Sequence, residues 1–170
     1  ADSATRMQLF DALRAIAGDR RVTIDTEVFN SSLCQIEAAL PQVPGGGLKV
    51  VFGFGDRTDA NPAGRYFVGE NPVIDVIIPA DVTDGFLWVS VLDVSGNVFH
   101  LLPNLNRPEN SIAALRDGTS GAVTVRVAYG LEEAKDTNRL AFLVDDSTLG
   151  KSKVIALYSK EPLFDQNRPT

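Results

Sequence analysis

The stretch Gly69-Glu70-Asn71-Pro72-Val73-Ile74-Asp75-Val76-Ile77-Ile78-Pro79 decides the fold class when read with Asp84-Gly85-Phe86-Leu87-Trp88-Val89-Ser90-Val91-Leu92-Asp93-Val94-Ser95-Gly96-Asn97-Val98-Phe99-His100-Leu101-Leu102-Pro103-Asn104. Its β-branched and aromatic runs break at Pro, Gly and Asn, the residues that turn a chain. Three consecutive strands result: Val73 to Ile78, Phe86 to Leu92 and Val98 to Leu102. A two-residue turn at Ser95-Gly96 and a four-residue loop from Val94 to Asn97 give the same hairpin register. Phe99 then faces Leu92, His100 faces Val91, Leu101 faces Ser90 and Leu102 faces Val89. Both faces of the pair are largely apolar, which places it centrally and covered on two sides. Phe86, Trp88, Val89, Val91, Phe99, Leu101 and Leu102 are the expected core.

Outward from this hairpin the pattern continues. Leu48 to Phe54, Arg65 to Gly69, Val123 to Tyr129, Leu140 to Val144 and Val154 to Tyr158 read as further strands, with turn signals between them. Ser111 to Leu115 and Leu131 to Lys135 read as single helical turns. Upstream, Met7, Phe10, Leu13, Ile16 and Ala17 have helical spacing between Thr5 and Gly18. Val22 to Asp25 alternates as a short strand. Ser32 with Gln35 forms a capping box for a second helix that Pro41 ends. The Pro41 to Gly47 stretch is a linker. The expected fold class is α+β, mainly β. A β-sandwich domain over 48–164 follows a small helix-strand-helix unit over 1–44, which can equally be the tail of a larger domain.

A chain of 170 residues can bury roughly 70% of the surface its unfolded form exposes, enough for one core. Its net charge of −6 comes without any cluster of Lys or Arg beyond Arg20-Arg21. Nucleic acid and anionic membrane both need a basic face, so neither is expected as a partner. No apolar run approaches the ~18 residues of a membrane span, so no membrane insertion is expected. Ala1-Asp2-Ser3-Ala4 has neither the basic nor the apolar region of a signal peptide, and the expectation is a piece of a longer chain. One Cys and one His leave no internal disulfide and no Cys/His zinc site.

Several motifs come close to chemistry and fall short. Asp145 to Ser152 ends like a phosphate-binding loop, but Asp145 stands where Gly is needed and a strand follows in place of a helix. Asp59 to Glu70 matches a calcium loop at four positions, yet Ala63 offers no oxygen where a ligand belongs and neither flank is helical. Gly53-Phe54-Gly55 lacks the third glycine and the helix of a dinucleotide fingerprint. His100 sits mid-strand as a hydrogen-bonded structural residue, and Cys34 reads as a small core residue. No metal or cofactor is expected, and no catalytic residue is assigned.

Binding candidates come from the loops and from the sole tryptophan. A Trp beside a strand end, next to a loop rich in Pro and Asn, can serve as a ligand platform, here Trp88, and can equally be a core plug with a hydrogen-bonded cover. The two longest loops, Asp56 to Gly64 and Pro103 to Gly121, bring Asn61, Asn104, Asn106, Arg107 and Asn110. These uncharged donors and acceptors, with one cation, suit a peptide, glycan or protein partner better than a phosphate-rich polymer. The alternative is that the asparagines cap turns.

Tyr66 to Val73, Asp84 to Val89, Gly96 to Asn104 and the ending from Gly150-Lys151-Ser152 to Leu163 together resemble a bacterial domain of unknown function. That domain is found at the C-terminal end of membrane-linked serine/threonine protein kinases and of some caspase-like peptidases. The resemblance spans about residues 64 to 164. It implies a non-catalytic accessory sensing or binding domain attached to a signalling enzyme, in a periplasmic or extracytoplasmic setting, with the cytoplasm as the alternative. The kinase signatures themselves are absent from this sequence. The competing functional expectation is a small hydrolase built on Ser, Asp and His100, although no Gly-x-Ser-x-Gly turn occurs.

Overall fold

The computed structural model describes residues 3–21, 23, 31–40, 47–147 and 149–165. In order the chain forms α1 (Ser3–Ala17), α2 (Ser31–Ala39), β1 (Lys49–Phe54), β2 (Pro72–Ile78), β3 (Phe86–Leu92), β4 (Val98–Leu102), α3 (Ile112–Arg116), β5 (Val123–Ala128), α4 (Leu131–Ala134) and β6 (Lys153–Ser159). The fold is thus mostly strand with few short helices. Helix α1 ends where the sequence places its stop: Gly18 takes φ +58° and its N–H donates to Arg14 O at 3.2 Å, a conformation that costs glycine no Cβ clash. Helix α2 opens at Ser31, one residue before the expected cap. The expected strand from Val22 to Asp25 falls, apart from Thr23, outside the described residues. Cys34 is exposed, not the small core residue that its apolar neighbours suggested.

The strands form two antiparallel three-stranded sheets, ordered β1-β2-β5 and β4-β3-β6. Middle strand β2 pairs Val50 with Val76 on one side and Val76 with Val125 on the other. Middle strand β3 pairs along its whole length with β6, from Phe86 opposite Ser159 to Leu92 opposite Lys153. One core cluster draws on both sheets: Ile74, Val76, Ile78, Val125, Val127 and Ala128 from the first, and Leu87, Val89, Leu101 and Leu102 from the second. Ile112 of α3 completes it. Among the described residues, every member and every side chain packed against it lies between Leu48 and Tyr158.

The hairpin of β3 and β4 departs from the expected register by one residue. Val89 pairs with Leu102 as the sequence suggests, but Ser90 pairs with His100, Val91 with Phe99 and Leu92 with Val98. The reason is the turn. Asp93 N donates to Asn97 O at 2.9 Å and Gly96 takes φ +90°, which makes a three-residue loop closed by a left-handed glycine. A bulge at Leu101 then restores the register toward Leu102. Strict alternation would send Leu101 and Leu102 to opposite faces; with the bulge both are buried, at 2% and 1% exposure. Phe99, in contrast, lies next to the turn and is 43% exposed, so it is not a core residue. Phe86, Trp88 and Val91 are half-buried.

Two expected strands are absent, and in both places side-chain hydrogen bonds replace a ladder. Residues 65–69 fold into a turn in which Glu70 N donates to Phe67 O at 3.0 Å and the Glu70 carboxylate accepts from Phe67 N at 2.8 Å. Residues 140–144 are held at their ends by Tyr129 N to Leu140 O and by the reciprocal pair Gly69 N to Val144 O and Val144 N to Glu70 O. In the middle, Phe142 O accepts from the Asn71 side chain at 2.9 Å instead of from a neighbouring strand. The two helical turns form as expected, as α3 and α4.

Candidate functional site

The loop asparagines singled out by the sequence are largely turned inward. Asn61 is buried; its amide donates to Arg65 O at 2.8 Å and its oxygen accepts from Arg65 N at 3.1 Å. Asn104 is buried as well: it donates to Leu101 O at 2.9 Å and accepts from Asn106 N and Arg107 N at 2.9 and 2.8 Å. This turn brings the chain off β4 and back to β3, where the Asn110 side chain donates to Leu87 O at 3.0 Å and its backbone carbonyl accepts from Leu87 N at 2.9 Å. Arg107 reaches across to β5, donating to Arg126 O and to the Tyr129 hydroxyl at 3.0 Å. Asn106 is exposed. In these loops Asn does what a short amide does best, supplying backbone partners where no ladder exists.

Trp88 lies elsewhere, on the face of the β4-β3-β6 sheet that turns away from the core. Successive strand residues alternate between faces and directly paired residues share one. With Leu87 and Val89 in the core, Trp88 and Ser90 therefore share the outer face with their partners Leu157, Ile155 and His100. Two contacts fix this surface. Trp88 Nε1 donates to Ser159 Oγ at 3.1 Å, and the Phe164 ring packs edge-on against the indole with centroids 5.1 Å apart at 83°. Beside them, Ser90 Oγ and His100 Nδ1 are 3.0 Å apart. The result is an aromatic and aliphatic patch with a Ser–His pair at its side.

The other sheet presents a different outer face. Across β2 and β5, Arg126 makes a two-pronged contact with Asp75 at 2.9 and 3.1 Å and continues to Glu133, which also meets Arg139. The Asp75 carboxylate holds the Arg126 guanidinium well above its ordinary range, with Glu133 adding to it. A second cluster occupies the loop that resembled a calcium site. Arg57 stacks on Phe54 at 3.4 Å and pairs with Asp56, Asp59 and Glu70. A guanidinium thus sits among the acids that a cation would have needed. The Phe67 N–H and then Arg57 hold the Glu70 carboxyl below the usual range. Among the described residues, no three His, Cys, Asp or Glu side chains gather to hold a metal ion.

Sequence reasoning missed two buried polar residues. Asn71 donates to Tyr129 O and Phe142 O at 3.2 and 2.9 Å and accepts from Leu131 N at 2.7 Å. Arg116, 5% exposed, donates to Pro79 O, Val82 O, Thr119 O and Gly121 O. Nothing in the local pattern separates Arg116 from a surface cation on a short helix. Asn71 carries a faint signal, an Asn directly before Pro at the head of an apolar run. Phe164 was also missed, since the run from Lys160 to Asp165 shows no periodicity. Within the Asp145 to Ser152 stretch, Ser147 N donates to the Asp145 carboxylate at 2.9 Å and β6 begins at Lys153; Thr148 lies outside the described residues.

Chemically, the Ser90–His100 contact has the spacing of a nucleophile and its base. Ser90, however, lies on a middle strand whose N–H groups point into the ladders with β4 and β6. They are not free to hold an oxyanion, the part of an acyl-transfer site that commonly contributes most. Among the described residues, no helix is long and apolar enough to cross a membrane. No family model, curated protein or solved structure matches the chain.

Proposed function

We propose that this chain is a non-catalytic accessory binding module of a bacterial signalling protein, of the kind attached to serine/threonine kinases. Its two sheets pack as a sandwich over 48–164, and its partner, a peptide, glycan or protein, docks on the outer face of the β4-β3-β6 sheet around Trp88. One observation carries the reading: the contrast between the two outer faces. One is closed by ion pairs from Asp75 to Arg139. The other offers a fixed indole flanked by Leu157 and Ile155, the mix of apolar surface and convergent polar groups that ligand sites favour. Of the residues first proposed for binding, Trp88 keeps that role. Asn61, Asn104 and Arg107 instead shape the loops, and Asn106 is exposed on one of them.

Random-peptide display and a glycan array, each run on the full chain and on Trp88→Ala, test the proposal. Binders retained by the wild type and lost in Trp88→Ala, with the unfolding midpoint unchanged, are the expected result. Binders indifferent to Trp88, or none at all, refute it. The Ser90–His100 contact supports the competing hydrolase reading. Turnover of a chromogenic ester that disappears in His100→Ala, with the fold retained, favours that reading instead.

A further inference from the structure

We propose that the Trp88 face is a docking surface for an extended peptide segment carrying an aromatic side chain, and that the chain's own Pro162-Leu163-Phe164 holds it until such a segment arrives. This rests on the reading of the Trp88 face as the binding surface and names the chemistry of its occupant. The tail shows what the face accepts. After β6 ends at Ser159, the chain turns back and lays Phe164 edge-on against Trp88, at 5.1 Å and 83°. That is the arrangement an indole quadrupole favours for an aromatic edge. The indole is oriented independently of its occupant, because Ser159 Oγ pins Nε1 at 3.1 Å. A ring held by the scaffold is a preformed receptor, so little ordering is needed when an aromatic arrives.

The occupant, in contrast, stays partly in solvent. Residues 160–165 belong to no helix or strand, and Leu163 and Phe164 keep 46% and 42% of their surface exposed. A core side chain in the same sheet keeps almost none. The adjacent strand favours an extended shape for the incoming segment. β6 lies at the edge of its sheet and pairs with β3 alone among the described residues, which is where extended peptides add. The tail also gives the fitting composition in its own sequence, an aromatic next to Leu163 with Glu161 and Asp165 on either side.

Trp88 is the only tryptophan in the chain, so its emission reports on this face alone. In the full-length Phe164→Ala variant, emission shifts to the red and acrylamide quenches it more strongly than in wild type. Phe164→Leu, which keeps apolar bulk without the ring, falls between the two and guards against a folding artefact. Adding the synthetic peptide Lys-Glu-Pro-Leu-Phe-Asp to Phe164→Ala reverses the shift saturably. The same peptide binds wild type about tenfold more weakly if the tail covers the face nine-tenths of the time. An emission spectrum unmoved by Phe164→Ala overturns the proposal, as does a peptide that acts equally well with Ala in place of its Phe. Display binders that need Trp88, alongside a tail peptide that does nothing, overturn the tail's role and leave the binding surface standing. A tail peptide that works while no library binder depends on Trp88 supports the tail's role and removes only the wider function.

Discussion

Asn71 is the residue on which the described core loops depend, and replacing it separates two effects of one side chain. Its oxygen accepts from Leu131 N at 2.7 Å, at the start of α4, where Gly130 supplies no side-chain cap. Its amide donates to Phe142 O at 2.9 Å and Tyr129 O at 3.2 Å. In Asn71→Ala, two or three hydrogen bonds of about 1 kcal/mol each are lost. The Leu131 N–H is also left without this partner, at a cost of about 1–3 kcal/mol. The sum is about 3–6 kcal/mol, which in urea lowers the unfolding midpoint by about 1.5–3 M at an m-value of about 2 kcal/mol/M. Asn71→Asp keeps the acceptor for Leu131 but turns its second oxygen toward two carbonyls. Those carbonyls and the burial disfavour the ionised form, so the folded pKa of the new carboxyl rises above its unfolded value. A raised folded pKa contributes stability that is present below the unfolded value and lost as pH rises through the folded one. The Asp variant should therefore lie well below wild type at pH 7 and recover toward it as the pH falls to the carboxylate range. Urea unfolding of both variants across that range is the assay. An Asn71→Ala cost under about 1 kcal/mol, the scale of surface changes, or an Asp variant whose deficit ignores pH, refutes the argument.

Three further outcomes follow from the same structure. Leu101→Ala should cost about 2–5 kcal/mol because the side chain is 2% exposed, whereas Phe99→Ala should cost about 1 kcal/mol or less despite the larger truncation; chemical denaturation that reverses this order places the bulge wrongly. At Gly55, an added Cβ would come within 1.8 Å of Asn71 Oδ1 and 2.8 Å of Gly130 Cα, so Gly55→Ala should destabilise by at least about 2 kcal/mol, and a melting temperature equal to wild type counts against that packing. Glu70, held below the usual carboxylate range by the Phe67 N–H and Arg57, contributes stability that is present above its unfolded pKa and lost as pH falls through its lower folded value; the gap between wild type and Glu70→Gln should be widest near neutrality and close in acid, and a gap constant with pH removes Glu70 from that role.

The strands were legible wherever β-branched residues run unbroken, because Val, Ile and aromatics suit a pleated surface and each run ends at a turn residue. All six strands among the described residues were read this way. Residues 65–69 and 140–144 look the same in sequence and form no ladder. What replaces the ladder is a carboxylate from Glu70 and an amide from Asn71, and such substitution of side chain for strand leaves no mark on periodicity. The hairpin register was missed by one residue for a related reason. A three-residue loop with a bulge and a two-residue loop without one can be written in the same Ser-Gly sequence, and only the packing of Leu101 and Leu102 chooses between them.

The candidate site divides along the same line. A sole Trp on an apolar strand was visible as a platform, since an indole is large enough to matter wherever it lands. Its partner was invisible, because Phe164 meets Trp88 through a tail without pattern. The asparagines mislead in the opposite direction. Polar loop residues read alike whether they face a ligand or their own backbone, and the distinction rests on hydrogen-bond partners that only the fold supplies. Asn61 and Asn104 each use both ends of the amide on neighbouring backbone. Recruiting either to a ligand would break the turn that positions it, whereas a ligand that exchanges with Phe164 on Trp88 displaces a side chain that belongs to no helix or strand. Recognition at the Trp88 face therefore leaves these turns intact, which favours the tryptophan over the asparagines as the binding surface.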